Sequence, residues 1–110
     1  MELRGHLDLM LLNSLRELGS AHGYAIIAAL RDGSDGVFDL PEGTVYPALH
    51  RLERAGLVDS DWDRSGPRRR RVYRLTPDGA AALVVKRREW QAFTRGMRAL
   101  IGPTSVEGLA

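Results

Sequence analysis

Leucines set the first periodicity of the chain. Leu7, Leu11, Leu15 and Leu18 recur at four- and three-residue steps, Leu3, Met10 and Leu12 widen the stripe, and Gly19 is placed to close the helix they predict. After the polar break GSAHG, a shorter helix fits YAIIAALRDG, with Ile26, Ile27 and Leu30 on one side and Gly33 at its end. SDGVFDLPEG is too rich in Gly, Asp and Pro to be regular and reads as a connector of about ten residues. In PEGTVYPALHRLERAGL, Val45, Ala48, Leu49 and Leu52 sit at helical spacing and Gly56 is placed for a left-handed C-cap. A start at Thr44 puts Pro47 in the first turn, where its missing N–H has no helical partner; a start at Pro41 predicts a kink at Pro47.

Two short alternating segments follow, LVDSDW and RVYRL, joined across DRSGPRRR, which makes a hairpin with a long basic tip. The last pattern opens with Thr76 as N-cap, Pro77 at the first helical position and Asp78 in the first turn. Nothing breaks it before Gly102-Pro103, so a helix of about 25 residues approaching 40 Å is expected. The predicted fold is mostly α with a small β-hairpin: a winged helix-turn-helix over residues 1–75, a long C-terminal helix over 76–101, and a disordered tail over 102–110.

Composition narrows the function classes. The chain has 110 residues, 44% of them apolar, and no cysteine, which suits one small domain and removes disulfides, thiolate–zinc sites and thiol nucleophiles. No run reaches the roughly 18 apolar residues of a membrane span, and the N-terminus lacks a signal-peptide pattern, so a cytoplasmic protein without membrane contact is expected. His6, His22 and His50 are scattered, Ser14 and Ser20 lack a nucleophile motif, and Asp59, Asp61 and Asp63 read as surface acids along a strand. No catalytic site, metal site or cofactor is expected.

Charge is placed, not spread. Residues 62 to 75 hold six arginines and one acid, net +5, whereas the rest of the chain is net −3. In a winged fold Arg68, Arg69 and Arg70, with Arg64 across the turn, form the wing tip, where guanidinium groups bind phosphates and fit a narrow minor groove. Gly66 and Pro67 let the loop turn sharply, and Arg71 and Arg74 read as solvated strand residues. Thr44, Tyr46, Pro47, His50 and Arg51 are the candidates on the third helix, His50 and Arg51 being the stronger for polar contacts, and Arg54 is assigned to the solvated side. Double-stranded DNA is therefore the expected partner.

The segments GYAI, GTVYPALHRLERAGLV and RRRRVYRLTPDGAAAL, followed by a helix containing REW, resemble the PadR family of bacterial transcription regulators over nearly the whole chain. The resemblance implies a dimeric winged-helix repressor of the short form with one C-terminal helix. It also places Tyr24, Thr44, Tyr46 and Pro47 near the DNA and the arginine-rich loop in the wing. GPRRRR is more arginine-heavy than the family pattern requires, which favours backbone affinity over added sequence choice.

The terminal helix points independently to a homodimer. Leu83, Trp90 and Met97 repeat every seven residues, and Phe93 and Leu100 do likewise, giving an apolar seam interrupted by Lys86. Its expected partners are the broad face of the first helix, with Leu7 and Leu11, and the same helix of a second copy. A two-fold dimer predicts a palindromic operator with half-sites about 34 Å apart. Trp90 is the candidate for stacking a small planar or aromatic ligand, against the plainer reading of a packed interface tryptophan. The rival function is a winged-helix protein–protein adaptor, which has no need of four consecutive arginines.

Overall fold

The computed structural model describes residues 3–102, without the side chains of residues 3–5; the expected tail lies, beyond Gly102, outside the described residues. Its elements run α1 (Leu3–Leu18), β1 (Ser20–His22), α2 (Gly23–Gly33), α3 (Glu42–Arg54), β2 (Val58–Asp63), β3 (Arg70–Leu75) and α4 (Pro77–Ile101). The strands form one antiparallel sheet of order β1-β3-β2. β1 falls within the segment read as a polar break. Three residues are too few to show a period, and the strand exists because β3 has a free edge, where Ala21 pairs with Tyr73.

Leu7, Leu11, Leu12 and Leu15 of α1 fill the core with Ile26, Val45, Leu49, Leu52, Val58, Tyr73 and Leu83. Each fully buried leucine contributes about 1.5–3 kcal/mol of transfer free energy. Leu7, Leu11 and Leu83 were expected at the dimer seam; the structure places them inside the single chain instead, because the first turns of α4 pack on α1 and the sheet. The seam is thus divided. Its first member belongs to the domain, while Trp90, Phe93, Met97 and Leu100 remain exposed on the part of α4 that extends past it.

α3 begins at Glu42 with Pro41 as its N-cap, so the earlier of the two expected starts is the observed one, and the helix continues through Pro47. Thr44 lies in the first turn and is not the cap. The helix closes in a Schellman motif: Leu57 N–H reaches the Leu52 carbonyl at 3.0 Å, Gly56 N–H reaches that of Glu53 at 3.0 Å, and Gly56 has φ +79°. Thr76 then ties α3 to α4, donating to the Gly56 carbonyl at 2.7 Å while its oxygen accepts from Gly79 N–H at 3.0 Å. Gly79 packs so closely on this junction that a Cβ there would overlap the Leu57 carbonyl oxygen. These contacts fix where α3 and the hairpin stand relative to the rod of α4.

Candidate nucleic-acid interface

The 3.6-residue repeat puts Val45, Ala48, Leu49 and Leu52 of α3 in the core and leaves Gly43, Pro47, His50 and Arg54 along the opposite, exposed side. Pro47 and His50 therefore lie on the outward face of α3. Arg54 stands there too: the solvated side to which its sequence position assigned it is the outward face of the helix. Thr44 and Tyr46 are partly buried beside this face. Arg51 is engaged elsewhere. Its guanidinium makes a forked pair with Asp8 of α1 at 2.7 and 3.0 Å, so it braces α3 against α1.

The start of α2 adjoins the start of α3. Gly23 lies so close to the Tyr46 ring that a Cβ would overlap it, which explains why a glycine precedes Tyr24. Burial raises the Tyr46 phenol above its ordinary value. Tyr24 is 63% exposed, and its phenol is raised chiefly by its hydrogen bond to the Glu42 carboxylate. The charge of Arg68 acts against that rise.

In the hairpin, the β2–β3 ladder runs from Val58↔Leu75 to Asp63↔Arg70, leaving residues 64–69 as the tip. Arg64, Arg68, Arg69 and Arg70 are exposed and, among the described residues, pair with no acid. Arg71 and Arg74 are not simply solvated. Arg74 pairs with Asp61 at 2.8 Å, and Arg71 donates from Nε to Ser60 Oγ at 2.8 Å. Within the hairpin, the arginines that pair with no acid are therefore the three of the loop and Arg70 at the start of β3.

Asp63 anchors the base of that loop. One carboxylate oxygen accepts from the Ser65 hydroxyl at 2.6 Å and the Ser65 amide at 2.9 Å; the other meets His22 Nε2 of β1 at 2.9 Å. These contacts, the Ser65 hydroxyl first, hold the Asp63 carboxyl down to about 2, below its ordinary 3.8. A depressed carboxyl stabilises above its ordinary value and loses that contribution as pH falls through its folded one. An NMR titration of the Asp63 carboxyl carbon is expected to give a midpoint of about 2, and a midpoint near 3.8 would show the wing base to be open in solution.

The exposed stretch of α4 carries Trp90 stacked on Phe93, with ring centroids 5.8 Å apart, and His6 edge-on to Trp90 at 5.3 Å. These rings border an open groove of about 360 Å³, lined also by Leu9, Lys86 and Glu89. Among the described residues no His, Asp or Glu cluster suits a metal ion, and no helix is long and apolar enough to cross a membrane.

Three helices, a small sheet with a basic loop and a long last helix define a winged helix-turn-helix protein. Residues 11–85 match the PadR-like family of transcriptional regulators, and the chain belongs to that family, whose members are regulators and not enzymes. It is 51% identical over 53 residues to the transcriptional regulator Rv3488 of Mycobacterium tuberculosis, a match covering 48% of this chain and half the length of that relative. Among solved structures it resembles a transcriptional regulator from Clostridium thermocellum, with a TM-score of 0.82 and 31% identity over 90% of this chain and 96% of that one. A PadR family regulator from Clostridium difficile gives a TM-score of 0.77 and 32% identity, covering 88% and 99% of the two chains.

Proposed function

We propose that this regulator is a homodimeric repressor of the bacterial cytoplasm that binds a palindromic operator in double-stranded DNA. The observation that carries the reading is the wing tip: four exposed arginines paired with no acid among the described residues. Pro47, His50 and Arg54 face the major groove, Tyr24, Thr44 and Tyr46 support its edge, and Arg64, Arg68, Arg69 and Arg70 hold the neighbouring backbone. Trp90, Phe93, Met97 and Leu100 meet the same residues of a second copy, since an apolar stripe of this length calls for a cover. A small planar aromatic molecule stacking on Trp90 in the adjoining groove is the release signal this site accommodates.

Titration of a labelled 30-bp duplex of random sequence with the purified protein tests the reading. Binding that weakens steeply and linearly on a log–log plot against salt is expected. A protein that leaves duplex DNA unbound even at low salt would instead be an adaptor using the winged fold for protein contacts.

A further inference from the structure

The ring of Trp62, at the end of β2, carries two guanidinium groups: Arg69 lies 4.5 Å and Arg71 4.9 Å from its centroid. Trp62 is 47% exposed, so the ring is no core residue. The two cations differ in what their donors do. Arg71 is paired across the ladder with Trp62, donates to Ser60 Oγ, and lies 3.7 Å from Glu53 of α3, whose carboxylate also accepts from Ser60 at 2.6 Å. Arg69 has the same ring contact, and among the described residues no acid pairs with it. A continuous chain therefore runs from α3 to the wing tip: Glu53, Ser60, Arg71, Trp62, Arg69.

A guanidinium stacked by its face keeps its N–H donors in the plane around its rim. Stacking can thus fix where a phosphate-binding arginine points without consuming the hydrogen bonds it offers. We propose that Trp62 is a positioning residue for DNA binding: it holds the Arg69 guanidinium at a set height above α3 and presents its rim to a backbone phosphate. This rests on the wing–DNA reading above. Trp62 acts through Arg69 and makes no contact with the DNA itself. Arg71, tied by Ser60 and Glu53, is the fixed cation at the ring, and it couples the wing to the helix that enters the groove.

A double-mutant cycle on the full chain tests this, with anisotropy of a labelled random-sequence 30-bp duplex across a salt series. Arg69→Ala is expected to weaken binding and to lower the log–log slope by about one unit. Trp62→Leu, which keeps apolar bulk but has no aromatic face, is expected to weaken binding about two- to fivefold. In the Arg69→Ala background the same change is expected to do nothing further. Trp62→Phe keeps a ring face and is expected to recover most of the loss, which a general packing role would not predict. Without DNA, the Arg69 Hε resonance is expected to be shifted upfield by the ring current in the wild type and the Phe variant, and to return to its random-coil position in the Leu variant.

A Trp62→Leu effect of equal size with and without Arg69 would overturn the proposal, as would a Phe variant no better than Leu or an unshifted Arg69 resonance. Arg69→Ala binding as tightly as wild type, with an unchanged slope, would remove the wing from the DNA and overturn the underlying reading with it. The first three outcomes leave that reading standing, so the two failures are distinct.

Discussion

Replacing Arg68, Arg69 and Arg70 together with Ala is expected to cost about a hundredfold in affinity for any duplex at physiological salt. Three phosphate contacts contribute roughly 2.7 units to the slope of log affinity against log salt, and at about 0.15 M that slope converts to the stated loss. The loss falls on all sequences alike, because phosphates position a protein on DNA without reporting which bases lie beneath. Folding is not at risk, since the three side chains are exposed and lie in or beside the hairpin tip. Affinity measured over a salt series checks both numbers. An unchanged slope would place the wing away from the DNA.

The second large effect is expected on the exposed stripe of α4. Trp90→Ala should raise the dimer dissociation constant about thirtyfold, or ~2 kcal/mol, the cost of truncating a central aromatic anchor. Phe93→Asp combined with Met97→Asp should raise it by at least two orders of magnitude, because each change buries an unpaired carboxylate at the interface. The helical content should stay the same, as all three side chains are exposed in the single chain and the core ends at Leu83. Sedimentation equilibrium reads the dissociation constants directly. A dimer of unchanged strength would show that the exposed stripe of α4 is not the seam.

Periodicity made the four helices and the hairpin legible, because apolar spacing, Thr76, Pro77 and the closing glycines are local signals. β1 was not legible: it is three residues long, and what holds it is the edge of β3, some fifty positions further on. The candidate site was legible in part for the same reason. A helical face can be read from spacing, so Pro47 and His50 were placed outward, but Arg51 finds its acid 43 residues away in α1. Spacing assigns Arg54 to the solvated side, and that side is the same exposed face that carries Pro47 and His50.

The glycines at 23 and 79 carry the family pattern for reasons no spacing shows, since the obstacles are the Tyr46 ring and the Leu57 carbonyl. The heptad seam shows the limit most clearly. Seven-residue repetition identifies an apolar stripe but not what covers it, and the structure gives Leu83 to the domain while leaving Trp90 onward exposed. Trp62 carried no sequence signal of its own. The role proposed for it rests on the register that sets it opposite Arg71 and on its ring contact with Arg69.

Selection from a pool of randomised duplex DNA by the purified protein at moderate salt, followed by sequencing of the retained molecules, tests the central claim most directly. The account predicts a palindrome whose half-sites are centred about one helical turn apart, as two α3 helices related by a two-fold axis require. Retained DNA without a shared motif, or no retained DNA, would contradict a sequence-specific dimeric regulator acting through α3 and the wing.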